Sequence, residues 1–187
     1  MKVYDQLDDR IIKFIEKQKM FFVASAPLSA DGHINLSPKG YDAFKVLDDT
    51  TVAWLDLGGS GIETQAHVQE NGRITIMFCA FEGPANILRL FGTGEIINPH
   101  HAEWDEMMSL FPGFERARGV FKVKLTRIQD SCGWACRSMS SKASAINSRA
   151  MSTIRPRKSG SRADTRRTLK ALMVSKASFG STANDLY

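Results

Sequence analysis

The chain has 187 residues, 43% of them hydrophobic, and a formal net charge of +5, which suits one cored domain with room for an appendage. Its three cysteines, Cys79, Cys132 and Cys136, exclude a disulfide framework, and no apolar run suits a signal peptide or a membrane span, so a soluble cytoplasmic protein is expected. The charge is uneven: residues 135–187 hold 11 Lys and Arg against Asp164 and Asp185, leaving 14 basic and 18 acidic residues in 1–134, so any nucleic-acid reading rests on the tail alone.

Leu7, Ile11, Ile12, Phe14 and Ile15 recur at helical spacing and predict an amphipathic helix over residues 5–19. MFFVASA (20–26) is expected as a strand, PLSADG as a turn, and HINLSPKG (33–40) as a second strand that must end or bulge at Pro38. FKVLDD and TVAWLDL predict two more strands around an Asp-Asp turn. Asn71-Gly72 breaks the helix that comes next, RITIMFCAF is a β-rich run, and ILRLFGTGEII is a strand with expected bulges at Gly92 and Gly94. Residues 99–114 suggest a short helix and loop. GVFKVKLTRIQDSCGW closes the body with period-2 alternation at Phe121, Val123 and Leu125. About six strands with one N-terminal and one inserted helix predict a mainly β fold, a small β-barrel with flanking helices.

The stretch over residues 51–68 carries the chemistry. A buried strand runs through Gly58, Gly59, Ser60 and Gly61 into a helix at Ile62. Helix N-termini present N–H groups without intrahelical partners and a positive dipole end, so this junction suits an anion. Ser60 and Thr64 add hydroxyls. The Walker and GxGxxG spacings are absent. Asn35, Ser37 and Lys39 on the HINLSPKG strand form a second polar cluster, and Arg89 a third basic group; together they would suit a phosphate. His100, His101 and Glu103 are read as structural or solvated, with no metal site, because adjacent helical histidines face apart. Cys79 and Trp54 are read as core residues, and Trp134 as placed to reach a ligand at the barrel end.

The succession FFVASAP, DGHINLSPKG, TVAWLDLGGSGIETQAHVQENGRITIMF, ILRLFGTGEII and RIQDSCGW resembles the pyridoxamine 5′-phosphate oxidase-like family of FMN-binding split barrels. The resemblance implies a homodimer with FMN at the interface, and carries cofactor-binding roles onto Asn35, Ser37, Lys39, Ser60, Gly61, Thr64 and Arg89. It implies an FMN-dependent oxidoreductase acting on a small molecule, with no catalytic acid or base assignable. Departures from the family pattern argue against vitamin B6 oxidation: the helix start reads GSGIET in place of an Arg-Lys pair, and no Arg-x-His motif occurs. Two rival readings are a split barrel that binds deazaflavin or haem, and a non-catalytic module that binds nucleic acid through its tail. The tail holds only Phe179 and Tyr187 as aromatics, which weakens the latter.

The division falls at residue 134. Beyond it the serine- and arginine-rich segment 135–187 shows no apolar period and is expected to be a disordered basic tail. With fitting codons and one G restored after the Trp134 codon, ACRSMSSKASAI becomes GVPVYEFKGQRH. In the same frame KALMVSKASFG becomes SIDGLKGFVR. Both resemble segments with which relatives continue, so the tail is read as out-of-frame translation.

Overall fold

The computed structural model describes residues 1–59, 61–114, 116–134 and Cys136. The expectations for residues 137–187, including the disordered tail and any nucleic-acid contact through it, lie outside the described residues. In chain order the elements are β1 (Lys2–Tyr4), α1 (Asp9–Glu16), β2 (Met20–Ser25), β3 (Asn35–Gly40), β4 (Phe44–Asp48), β5 (Thr51–Asp56), α2 (Glu63–Asn71), β6 (Arg73–Cys79), β7 (Ile87–Ile97), α3 (Trp104–Ser109) and β8 (Gly119–Ser131). No helix among the described residues is long and apolar enough to cross a membrane.

All strand pairs are antiparallel, and the order across the sheet is β3-β2-β6-β7-β8-β5-β4, with β1 added to β8. The sheet curls back on itself. Phe21 of β2 and Phe44 of β4 sit far apart in the strand order, yet their ring centroids lie 5.0 Å apart, edge to face. Phe78 of β6 meets Phe44 at 5.1 Å. The result is a half-barrel whose β3 and β4 ends share no ladder among the described residues.

Alternation explains what fills it. Phe21 and Val23 of β2, Ile74, Ile76 and Phe78 of β6, and Val123 of β8 point inward, as a period of two requires. One end is closed by α1, whose Asp8 cap accepts the Ile11 N–H at 2.7 Å and whose Ile11 and Ile15 are buried. β5 is apolar on both faces. Val52 and Trp54 join the inner core, while Ala53 and Leu55 join a second layer with Ile97, Val120, Met107 and Phe111 beneath α3. Trp54 is fully buried and stacks on Phe121 at 4.6 Å.

Four expectations need correction. α1 is shorter than residues 5–19, and residues 2–4 form the additional strand β1. β3 continues through Pro38, which pairs with Phe22. It can do so because an outermost strand needs only one hydrogen-bonded edge, so a missing N–H is tolerated. β7 is one strand whose single register shift falls at Phe91/Gly92, and it passes through Gly94 without interruption. A Cβ at Gly92 would stand 2.4 Å from the Lys124 carbonyl oxygen, so that glycine serves a close strand approach. Finally, eight strands among the described residues replace the expected six or so, while α3 falls within the 99–114 stretch expected to hold a short helix.

Candidate functional site

β5 ends at Asp56 and the chain turns through Gly58 (φ +82) and Gly59 (φ +119). This left-handed backbone favours glycine, which alone lacks the Cβ penalty. Ser60, the turn's expected hydroxyl, lies outside the described residues. α2 follows with Ile62 at its N-cap, which offers no capping side chain to the first N–H groups of this nine-residue helix. Its C-terminus is closed by Gly72 in the left-handed region, as Asn71-Gly72 predicted.

The structure joins the two polar clusters. The Asn35 side-chain amide donates to the Thr64 hydroxyl at 2.8 Å, and the Ser37 hydroxyl donates to Asn35 Oδ1 at 3.2 Å. Thr64 is only 8% exposed. Asn35, Ser37 and Lys39 share one face of β3 because they alternate. Their ladder partners Ser25, Val23 and Phe21 are all buried, so this is the core-facing side. Lys39 is half-buried and has no hydrogen-bond or ion-pair partner among the described residues. Beside this cluster the Ser25 hydroxyl and His67 Nδ1 lie 3.0 Å apart, a pair that extends the polar network along α2.

Arg89 does not reach this group within the chain. It pairs with Met77 of β6, Met77 with Phe22, and Phe22 with Pro38. It therefore stands on the opposite sheet face from Asn35 and Lys39, and its guanidinium donates to the Ser131 hydroxyl at 3.0 Å. That outer face also exposes Ile34 and Leu36. Cys79 lies nearby, buried as expected. Burial, then the neighbouring Cys136 thiol, pushes its own thiol up to about 11, with Arg89 pulling the other way. Trp134 is 57% exposed.

One cation of the site was not anticipated. Arg118, just ahead of β8, donates from Nε and Nη2 to the two Asp56 carboxylate oxygens at 2.9 and 3.1 Å, and from Nη2 to the Gly61 carbonyl at 2.8 Å. Asp56 also accepts the Gly58 N–H at 3.1 Å. Both turn and helix start are thus tied to β8. Glu63 folds its carboxylate over Gly61, and a Cβ there would lie 2.7 Å from it. A first-turn acid is favoured by the helix dipole.

Away from the turn, the Glu103 carboxylate takes a 2.6 Å hydrogen bond from Lys122, which holds its pKa below the usual carboxylate range. His101 Nδ1 accepts the Glu103 N–H at 3.1 Å. These contacts engage two of the three groups whose spacing had raised the question of a metal.

The Asn35–Ser37–Thr64 chain thus meets the glycine turn at the start of α2, which brings hydroxyl, amide and backbone N–H groups to one junction. Such a set recognises an anionic group, above all a phosphate ester.

A family model described as pyridoxamine 5′-phosphate oxidase matches residues 7–132. The Aspergillus flavus pyridoxamine 5′-phosphate oxidase family protein ustO is 40% identical over 136 residues, 70% of this chain and 54% of its own length. The chain thus spans about half the length of this curated relative. Among solved structures, an epitope-tagged Group A Streptococcus HupZ is similar at a TM-score of 0.52 and 24% identity, over 66% of this chain and 93% of that one. A Lactobacillus delbrueckii protein described as a candidate pyridoxamine 5′-phosphate oxidase gives a TM-score of 0.54 at 14% identity, over 69% and 99%. At these identities the two structures speak for the shared split-barrel fold.

Proposed function

The chain belongs to the pyridoxamine 5′-phosphate oxidase family, and on that footing we propose that it is an FMN-binding flavoprotein and an oxidoreductase acting on a small molecule. The single observation that carries the reading is the junction of the Gly58–Gly59 turn with the uncapped start of α2, where Asn35 and Thr64 meet at 2.8 Å. The residues fit a flavin phosphate: backbone N–H groups at a helix start, a buried hydroxyl, a side-chain amide, and Lys39 on the same strand face.

In this reading Thr64 and the first N–H groups of α2 hold the phosphate, and Asn35 orients the Thr64 hydroxyl. Lys39 adds a compact positive charge that needs no geometric match. Bound isoalloxazine would supply the redox chemistry, and the chain its orientation and electrostatics. The site is proposed to be completed in a cytoplasmic homodimer, because Arg89 stands on the outer sheet face and reaches a ligand only across an interface. The apolar Ile34 and Leu36 on that face support the same reading.

FMN and riboflavin differ only in the phosphate, so their relative affinity tests the site. Freshly purified protein is expected to be yellow, to release FMN on denaturation, and to bind FMN at least about tenfold more tightly than riboflavin. Equal affinity for the two would remove the phosphate site and with it this function.

A further inference from the structure

We propose that Arg118 is the positioning residue of the anion site, acting through Asp56 and the Gly61 carbonyl; the inference rests on the phosphate reading above. The chain lacks an Arg-Lys pair at the helix start, and the only guanidinium that the described structure brings there comes from 57 residues further on. Its contacts are made for geometry. Two N–H groups grip the Asp56 carboxylate side by side, and a third takes the Gly61 carbonyl. The backbone adds a further tie, since the Arg118 N–H donates to the Asp56 carbonyl at 2.7 Å.

The consequence for the turn follows from peptide planarity. The Gly61 carbonyl and the Ile62 N–H belong to one rigid trans unit and point in opposite directions. Holding the carbonyl on Arg118 therefore aims the Ile62 N–H the other way. It also neutralises a carbonyl dipole that would repel an anion if the unit flipped. Asp56 holds the other end of the same turn through the Gly58 N–H. Glycines at 58, 59 and 61 leave the turn many alternative conformations, and a double anchor selects one. The Asp56 side chain is only 9% exposed and that of Arg118 33%, so the pair is shielded enough to hold its shape.

Lysine can replace this function only in part, because a single ammonium cannot span a carboxylate fork and a carbonyl in one plane. The test measures FMN and riboflavin affinity by flavin fluorescence in wild type, Arg118→Gln, Arg118→Lys and Asp56→Asn. Lys13→Gln, on the exposed side of α1, serves as control. Arg118→Gln and Asp56→Asn are expected to weaken FMN by about tenfold while changing riboflavin less than about threefold. Arg118→Lys is expected to recover only part of the loss, and Lys13→Gln to match wild type.

A folded Arg118→Gln protein that keeps the wild-type ratio of FMN to riboflavin affinity would overturn the proposal. If Arg118→Gln fails to fold, Arg118→Lys decides, and an unchanged ratio there overturns it too. A wild-type protein with no preference for FMN is a different failure: it removes the phosphate site itself, and the positioning role with it.

Discussion

The Tyr4 hydroxyl donates to one Asp130 carboxylate oxygen at 2.7 Å while the Lys2 backbone N–H donates to the other at 3.2 Å, so one acid on β8 anchors all of β1. Arg10 of α1 approaches the same carboxylate at 3.7 Å and donates to the Tyr4 hydroxyl at 2.8 Å. Strand, helix and sheet meet at this one side chain.

The cluster makes stability depend on pH in a defined direction. Burial works to raise the Asp130 pKa but is outweighed by the Tyr4 and Lys2 hydrogen bonds and the Arg10 charge, so the net shift is downward from 3.8. A carboxyl lowered in the folded state adds stability that is present above its unfolded pKa and is lost as pH falls through the folded one. Thermal unfolding should therefore show a falling Tm from about pH 4 downward. In Asp130→Asn the Tm should be lower at neutral pH and the acid-side fall shallower. An identical acid-side slope in both proteins would show that Asp130 does not contribute.

Thr64→Glu should lower FMN affinity by about two decades, through a lost hydroxyl and a like charge brought against the phosphate. Riboflavin affinity should fall much less, which separates a charge effect from general damage to α2. Isothermal titration with both ligands reads the two numbers, and unchanged FMN binding would remove Thr64 from the site.

Two glycines of β7 should respond differently to alanine. At Gly92 the added methyl meets the Lys124 carbonyl oxygen at 2.4 Å and Val123 Cγ1 at 2.7 Å, and the strand pair must move apart. Gly92→Ala should cost about 1–3 kcal/mol, the usual range for overpacking. At Gly94 the nearest atom is Val123 Cγ2 at 3.4 Å, close to ordinary contact, so Gly94→Ala should cost less than about 1 kcal/mol. Urea unfolding of the two variants compares them directly, and equal costs would contradict the register.

Pyridoxamine 5′-phosphate should not be turned over. The chain has no Arg-x-His motif, and its helix start reads Gly-Ser-Gly-Ile-Glu-Thr, so the basic groups expected to grip that substrate are missing. A peroxide-release assay with FMN-loaded protein checks this, and turnover at ordinary enzymatic rates, about 1 per second or more, would refute it.

Much of this was legible in the chain because its strands alternate. Phe121, Val123 and Leu125 read directly as one alternating face, MFFVASA and RITIMFCAF as strands, and Asn71-Gly72 as a helix end. Asn35 and Thr64 were legible as members of two polar clusters, and their contact at 2.8 Å became visible only in the fold. What stayed hidden depends on distant partners. β1 has three residues and no periodicity of its own, and its place is set by an acid 126 residues away from Tyr4. Arg118 lies in a short loop with no motif, 62 residues from the carboxylate it grips. Arg89 was grouped with Lys39 by residue type. Only the register across β3, β2, β6 and β7 reveals that their parities differ.

β5 is enclosed by apolar layers on both sides, with its residues Val52 to Leu55 at most 2% exposed. A strand so placed exchanges its amide hydrogens only when the whole unit opens. The glycine turn is the direct continuation of that strand, so its base persists through every partial opening of the sheet margins. Loss of ligand on heating should then coincide with the cooperative transition rather than precede it, and the amides of β5 should be among the slowest to take up deuterium.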